Sequence, residues 1–201
     1  MKKLCCIIGM SCSGKDSLVR AVERELGLQP VVSYTTRPRR DNETDGVEHY
    51  FITKKIMEEL CRSDKLVAYT SIGDKNGSGF EYGTTFGEVT EKDIYIIDPE
   101  GYEYLKSNLN PKEVEVFSVY IHVSEIVRLT RAIASERGDL ETTKRNFLTR
   151  TKNEFAQFDD FYRNEKYDYL IDNSGSFSGA YYRLIDILKK EFGFEGDDYD
   201  V

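Results

Sequence analysis

Short apolar blocks alternate with amphipathic stretches along the chain. The blocks are rich in β-branched and aromatic residues and occupy residues 4–8, 31–34, 94–97, 116–121 and 169–171. Continuous apolar runs of this kind are typical of parallel strands that are covered on both faces. The pattern therefore predicts an α/β fold built on a five-stranded parallel sheet.

The stretches between these blocks have the apolar spacing of helices. Leu18, Val19, Val22 and Leu26 recur at helical intervals, and the pattern stops at Gly27. Later helices are marked by a second set of apolar residues, namely Leu129, Ile133, Phe147, Phe155 and Phe158. Helices in these positions would supply the crossover connections that parallel strands require.

Length and charge narrow the class of protein. A chain of 201 residues is expected to form a single domain. Asp and Glu number 36 against 28 Lys and Arg, and the resulting net charge of −8 disfavours binding to nucleic acid or acidic lipid. No apolar run approaches the ~20 residues that span a bilayer. We therefore expect neither a nucleic-acid partner nor a membrane partner.

The cysteines and the N-terminal region indicate in which cellular compartment the protein is expected. The four cysteines, Cys5, Cys6, Cys12 and Cys61, have neither disulfide nor zinc-site spacing, and the chain contains only two histidines. The apolar run after Met1 is too short for a signal peptide. We therefore expect reduced thiols and a cytoplasmic protein.

The most specific local signal is a glycine-rich loop directly after the first predicted strand. Residues 9–15 read Gly-Met-Ser-Cys-Ser-Gly-Lys, which fits the Gly-x4-Gly-Lys part of a phosphate-binding loop. Its backbone N–H groups and the start of the following helix favour an anion, and Lys15 adds a full positive charge. The candidate residues for binding the phosphates of ATP are Gly9, Ser11, Cys12, Ser13, Gly14, Lys15, Asp16 and Ser17.

The loop departs from the strict motif at the residue after Lys15. Asp16 stands where the motif has the hydroxyl that reaches Mg²⁺, and Ser17 follows one position later. Ser17 is our candidate for the metal-side hydroxyl, with Asp16 as an alternative that acts through a bound water. An exposed carboxylate at the start of a helix, favoured by the helix dipole, would also explain Asp16.

A basic cluster follows about twenty residues later. Three arginines fall within residues 37–40, although the protein is acidic. Arg37 and Arg40 could hold a phosphate dianion through charge-assisted hydrogen bonds, with a further bond from Tyr50 or His49. The cluster therefore predicts a second anion site near the first.

With these motifs the chain resembles the guanylate kinase family of P-loop nucleoside monophosphate kinases, over nearly its whole length. The matching segments are residues 9–15, Thr35-Thr36-Arg37-x-x-Arg40-x-x-Glu43-x-x-Gly46 with Phe51, Tyr82-Gly83-Thr84, and Ile97-Asp98-x-x-Gly101. The resemblance implies a three-layer P-loop NTPase-type fold with two small subdomains. The implied core covers residues 1–33, 86–125 and 165–195, the acceptor-binding insert about 34–85, and the arginine-bearing lid about 128–160.

The resemblance also implies roles for individual residues. Ser33 and Thr84 would contact the acceptor base, and Asp98 would lie near Lys15 and the acceptor. The acceptor phosphate would be held by Arg37, Arg40, Tyr50 and Tyr82. In the lid, Arg137 would bind ATP, and the transferring phosphoryl group would be met by Arg131, Arg145 and Arg150. An ordinary solvated helix face would explain any one of these lid arginines equally well.

At two positions that would contact the acceptor, the sequence departs from the pattern of the family. Ala68 or a neighbour stands where the family has a glutamate that accepts hydrogen bonds from guanine, and alanine makes no such bonds. Losing that carboxylate would cost roughly 1.5–3 kcal/mol of recognition, unless Glu81 or another group replaces it. His49 stands where the family tyrosine would align, beside Tyr50, so either ring could meet the phosphate.

The resemblance implies an enzyme that transfers the γ-phosphoryl group of Mg-ATP to GMP or dGMP. Mg²⁺ would be the cofactor, and nucleotides would be the partners. One alternative is a kinase of the same fold that acts on another nucleotide or a sugar phosphate. Another is a non-catalytic protein-binding module. A GTPase is disfavoured because the chain has no Asn-Lys-x-Asp segment.

Overall fold

The computed structural model describes residues 1–41, 43–72, 79–135 and 139–194. At its centre is a parallel sheet with the strand order β6-β1-β7-β8. The strands are β1 (Lys2–Ile8), β6 (Ile94–Ile96), β7 (Val114–His122) and β8 (Tyr169–Asp172). This arrangement confirms the predicted α/β class with a parallel sheet.

Helices cover the central sheet on both faces. The helices of the described residues are α1 (Lys15–Leu26), α2 (Lys54–Arg62), α3 (Phe86–Glu91), α4 (Pro99–Asn108), α5 (Glu125–Ser135), α6 (Leu140–Arg163) and α7 (Phe177–Phe192). Of these, α2 packs on the second sheet described below. Because side chains alternate along a strand, β1 contributes to two separate cores. Cys5 and Ile7 pack with residues of α1 and α7, whereas Leu4, Cys6 and Ile8 pack with residues of α4 and α6. The result is three layers.

The prediction of a fifth core strand at residues 31–34 is wrong, because the parallel sheet has four strands. The chain makes only a single parallel bridge beside β6, between Pro30 and Ile94, with the Val31 N–H donating to the Ile94 carbonyl at 2.7 Å. Proline has no N–H with which to extend such a ladder. The chain then leaves the edge of the sheet, and Tyr34 pairs elsewhere.

A second sheet lies within residues 34–85, the range predicted to bind the acceptor. Its strands are β2 (Tyr34–Thr35), β3 (Tyr50–Phe51), β4 (Leu66–Ile72) and β5 (Phe80–Thr85), in the order β3-β2-β5-β4. Only β2 and β3 are parallel. The sheet approaches the core through β4, where the Tyr69 ring lies 6.5 Å from that of Tyr104 on α4.

The helices α5 and α6 pack together in the range predicted as the lid. Arg128 on α5 is buried, and its guanidinium lies 5.3 Å from the centre of the Phe147 ring on α6. The facing sides of α5 and α6 are therefore held together by this contact. Within the described part of the chain, no helix has the length and apolar character needed to cross a membrane.

Candidate active site

The loop at residues 9–15 connects β1 to α1 and curls back on itself. Cys12 and Gly14 both have positive φ angles, of 64° and 86°. The Ser13 N–H donates to the Met10 carbonyl at 3.1 Å. Alternating right- and left-handed residues direct successive N–H groups toward one point, which favours an anion. Lys15 opens α1 at this point, so the helix dipole adds to the effect.

Two side chains from later in the sequence hold this loop from outside. The Ser13 carbonyl accepts hydrogen bonds from Asn173 Nδ2 at 2.8 Å and from Arg131 Nη1 at 3.1 Å. Arg131 Nη2 also donates to the Asn173 carbonyl at 2.7 Å. Arg131 thus supports the loop and is not among the residues that line the cleft described below. Sequence reasoning missed Asn173, although a buried polar residue directly after a core strand is a signal for such a role.

The loop glycines are required by close approach. A Cβ atom at Gly9 would lie 2.8 Å from the Ile121 carbonyl oxygen, and one at Gly14 would lie 2.8 Å from Asn173 Nδ2. The atom near Gly9 belongs to the backbone of β7, which cannot turn aside as a flexible side chain can. The two glycines of the motif therefore serve packing as well as curvature.

Replacing Gly14 by alanine tests this support. A side chain at its left-handed φ costs roughly 1–2 kcal/mol of stability. It would also displace Asn173 from the loop, which should raise the KM for ATP about five- to tenfold. Gly27→Ala is the matched control, because Gly27 also has a left-handed φ of 69° but no atom within 4 Å of an added Cβ. A normal ATP KM in Gly14→Ala, measured beside thermal unfolding of both variants, would contradict the role of Asn173.

A carboxylate from α6 also contacts the loop. The Ser11 N–H donates to Glu154 Oε2 at 2.9 Å, and the Ser11 hydroxyl donates to Oε1 of the same group. The Ser11 carbonyl accepts from Arg128 Nη1 at 3.4 Å. Glu154 lies one helical turn after Arg150, and both side chains line the cleft. Sequence reasoning missed Glu154, whose spacing from Arg150 was the available signal.

The loop, the second sheet and α6 enclose a cleft of about 660 Å³. Most of the predicted site residues line this cleft, from both anion sites. They are Gly9, Ser11, Cys12, Lys15, Asp16, Ser33, Arg37, Arg40, Tyr82, Asp98 and Arg150. The two predicted anion sites therefore open into one space.

Other predicted residues lie elsewhere. Ser17 and Arg145 are exposed and do not belong to the cleft lining. Ser13 and Gly14 form the loop behind the lining. Arg137 lies outside the described residues.

The two acceptor arginines differ in their environment. Arg37 makes a two-pronged ion pair with the buried Glu43, with Nη2 to Oε1 at 2.8 Å and Nη1 to Oε2 at 3.0 Å. Burial opposes ionisation of Glu43, but hydrogen bonds from Arg37 and from the Arg40 N–H outweigh it and lower the pKa of the carboxyl group. The Arg40 side chain is 55% exposed and lies 3.7 Å from Glu43. Arg40 thus keeps most of its donors available for an anion.

His49 and Tyr50 point to different places. The His49 Nδ1 lies within hydrogen-bond distance, 2.9 Å, of the Ser33 hydroxyl, and its ring meets the edge of Tyr82 at 5.6 Å. Burial and the charge of Arg37 lower the pKa of His49, so the imidazole is neutral at pH 7. His49 lines the cleft, whereas Tyr50 packs on Tyr34 and is absent from the lining.

Two of the residues expected near the acceptor, Asp98 and Thr84, form hydrogen bonds within the protein. Asp98 caps α4 by accepting from the Gly101 N–H at 2.9 Å, and burial raises the pKa of its carboxyl group. The Thr84 hydroxyl is buried and lies 2.5 Å from the hydroxyl of Tyr95, and Tyr95 lines the cleft whereas Thr84 does not. Ala68 pairs with Thr84 and does line the cleft.

Glu81 does not supply the carboxylate that Ala68 lacks. Its Oε1 accepts a hydrogen bond from the Tyr69 hydroxyl at 2.7 Å, and Glu81 is not part of the cleft lining. Its neighbour Tyr82 does line the cleft, because adjacent residues of a strand face opposite sides. This wall of the cleft therefore lacks the glutamate that the family resemblance implies.

Comparison with known proteins places these features in a family. The family model described as guanylate kinase matches residues 1–191. The guanylate kinase of Bradyrhizobium diazoefficiens is 28% identical over 188 residues, which are 90% of this chain and 79% of the relative. That of Haemophilus influenzae is 27% identical over 190 residues, covering 90% of this chain and 84% of the relative. The crystal structure of guanylate kinase from Anaplasma phagocytophilum shares the fold, with a TM-score of 0.63 and 18% identity over 94% of this chain and 86% of that one.

Proposed function

Because the chain belongs to the guanylate kinase family, we propose that it transfers the γ-phosphoryl group of ATP to the phosphate of GMP or dGMP. The products are ADP and GDP or dGDP. One observation carries the proposal for these residues: Lys15 of the loop and Arg40 of the basic cluster line the same cleft. Donor and acceptor phosphates bound there would face each other without an intervening protein nucleophile.

Catalysis in this cleft would come from alignment and charge. Charge spreads over the oxygens of the transferring group, so fixed positive charges around it lower the barrier. Lys15 and Arg150 would meet this group, because both line the cleft. Arg131 and Arg145 would act less directly, Arg131 by supporting the loop through Ser13.

The binding roles rest on the loop motif and on the resemblance to the guanylate kinase family, and cleft placement supports those residues that line the cleft. The donor would be bound by Gly9, Ser11, Cys12, Ser13, Gly14, Lys15, Asp16, Ser17 and Arg137. The acceptor would be bound by Ser33, Arg37, Arg40, Tyr50, Tyr82, Thr84 and Asp98. In place of Tyr50 we favour His49 as the ring that meets the phosphate, since His49 lines the cleft beside Arg37 and Tyr82.

The residues near the loop fit a Mg²⁺ ion that arrives with ATP. Mg²⁺ in such sites is held by one or two protein oxygens together with substrate phosphates. Asp16 lines the cleft at the start of α1, and Ser17 follows it. Among the described residues no group of three or more His, Cys, Asp or Glu side chains is placed to hold a metal alone. Bound Mg²⁺ would neutralise charge on the β- and γ-phosphates.

We propose that one domain contains three functional parts. The core holds the donor loop, the second sheet holds the acceptor, and α5 with α6 forms the lid. Support comes from the contact of Glu154 on α6 with Ser11 of the loop, which brings the proposed lid to the donor site. Closure of such a lid would exclude water and so protect ATP from hydrolysis.

A second candidate function is transfer to another phosphorylated acceptor. Ala68 favours it, because alanine in the cleft wall offers no hydrogen bond to guanine. A different nucleotide or a sugar phosphate would not require a carboxylate at position 68. The loop and the arginine cluster would serve such an acceptor equally well.

A panel of acceptors tests both candidates. ADP release is measured with Mg-ATP and each of GMP, dGMP, AMP, CMP, UMP and dTMP, with ATP alone as the blank. We expect GMP and dGMP to give the highest kcat/KM. Preference for another acceptor would favour the second candidate, and no acceptor-dependent ADP release at all would contradict a kinase.

A further inference from the structure

The hydroxyl groups of Ser33, Thr70 and Thr84 lie on the acceptor side of the cleft or directly behind it, and they differ in whether they have a partner. The Ser33 hydroxyl lies 2.9 Å from His49 Nδ1, and the Thr84 hydroxyl lies 2.5 Å from the Tyr95 hydroxyl. Thr70 is 5% exposed, and its Oγ1 has no hydrogen-bond partner among the described residues. A buried hydroxyl without a partner costs stability and calls for an explanation.

The position of Thr70 supplies that explanation. Thr70 lines the cleft and pairs with Tyr82 on the neighbouring strand β5. Ala68, two residues earlier on β4, has its side chain on the same face and also lines the cleft. Thr70 therefore lies between Tyr82, at the arginine end of the cleft, and the stretch of wall where Ala68 offers no polar group. A rotation about χ1 between staggered positions is enough to redirect its hydroxyl.

We propose that the Thr70 hydroxyl forms a hydrogen bond with the base of the acceptor nucleotide and helps to determine specificity. This inference rests on the proposed function, because it takes GMP as the acceptor. The bond is absent in the free protein and forms on binding, so the unpaired hydroxyl is satisfied only in the complex. A hydroxyl both donates and accepts, and it can therefore meet either the O6 acceptor or the N1–H donor of guanine.

The test compares Thr70→Val with Thr70→Ser. Valine has nearly the shape of threonine and carries a methyl group in place of the hydroxyl, whereas serine keeps the hydroxyl and lacks the methyl group. We expect the GMP Kd from titration calorimetry to rise about three- to tenfold in Thr70→Val, as for the loss of one neutral hydrogen bond. Thr70→Ser should bind GMP like the wild type. The KM for ATP should not change, and the melting temperature of Thr70→Val should be equal to or above that of the wild type.

Ribose 5-phosphate serves as the probe without a base. Its inhibition constant should be the same in the wild type and Thr70→Val. An equal loss for ribose 5-phosphate and GMP would place the hydroxyl at the sugar or phosphate and overturn the assignment to the base. Unchanged GMP affinity in Thr70→Val would also overturn it, as would a melting temperature several degrees lower.

If the protein does not phosphorylate GMP, the experiments give a result that differs from a failure of the Thr70 inference alone. Wild-type enzyme would then release no ADP in response to GMP, and the inference about Thr70 would fall with it. If the wild type turns over GMP but the variants bind GMP alike, the proposed function stands and only the inference about Thr70 is wrong.

Discussion

Replacing Lys15 by methionine is expected to lower kcat about 10²- to 10³-fold, the loss seen when one preorganised stabilising group is removed from a transition state. Methionine matches the length of the aliphatic stem but has no charge. Among the described residues, no hydrogen bond or ion pair involves the Lys15 ammonium group, so its removal should leave the fold intact. The measurement is steady-state ADP release at saturating ATP and GMP.

Lys112→Met is a suitable control for the loss of one positive charge. Lys112 is exposed in the turn before β7 and is not among the residues that line the cleft. This variant should keep wild-type turnover. Near-native kcat in Lys15→Met, with an unchanged melting temperature, would contradict the placement of the transferring group beside Lys15.

Replacing Arg40 by methionine should lower kcat/KM for GMP about ten- to a hundredfold. A hydrogen bond to a charged group contributes roughly 1.5–3 kcal/mol, and every 1.4 kcal/mol is a factor of ten. The KM for ATP should stay nearly constant, because Arg40 lies in the connection between β2 and β3 of the second sheet, whereas the donor loop belongs to the core. The two KM values are measured separately, each at saturating concentration of the other substrate.

Arg39→Met provides the matched control for Arg40. Arg39 is the adjacent arginine, donates to the Glu43 carbonyl and does not line the cleft. Its replacement should change kcat/KM for GMP much less. A similar loss of ATP and GMP affinity in Arg40→Met would show that Arg40 does not act at the acceptor alone.

Arg37 is a less suitable residue for the same test. Its guanidinium is largely buried, holds Glu43 by two hydrogen bonds and lies 5.5 Å from the centre of the Phe51 ring. Removing it would leave the buried Glu43 carboxylate without its main partner, which is strongly destabilising. Arg37 therefore combines a structural role with its proposed binding role. Replacing Arg40 tests the binding role alone.

The central sheet was largely predictable because its strands are covered on both faces. Four of the five apolar blocks became β1, β6, β7 and β8, each close to the predicted bounds. The block at residues 31–34 has the same composition, but its chain makes one bridge at Pro30 and then joins the second sheet. The apolar composition of a segment predicts that it is buried, but it does not predict with which sheet the segment pairs.

The donor loop was predictable because its chemistry is local. Its glycines, its lysine and the helix that follows occupy consecutive positions, so spacing alone identifies the anion site. The groups that hold the loop in place are distant in sequence. Asn173 bonds to a residue 160 positions away, and Glu154 bonds to one 143 positions away. Only the parallel sheet and the packing of α6 bring them together.

On the acceptor side, the sequence predicted the arginines that line the cleft. It predicted less well which aromatic rings and hydroxyl groups line it. His49 and Tyr50 are adjacent at the start of β3, and only the directions of their side chains determine that His49 lines the cleft and Tyr50 does not. The same is true of Glu81 and Tyr82 on β5, of which only Tyr82 lines the cleft. Choosing between neighbours requires the strand register, and the hairpin between β4 and β5 sets that register.

The most direct test of the account follows the phosphoryl group itself. ATP labelled with ³²P at the γ-phosphate is incubated with GMP and enzyme, and the products are separated. If the loop and the arginine cluster bind donor and acceptor in one cleft, the label should appear in the β-phosphate of GDP, with one labelled GDP formed for each ADP. Label released mainly as inorganic phosphate, or retained on the protein, would contradict direct transfer between the two sites.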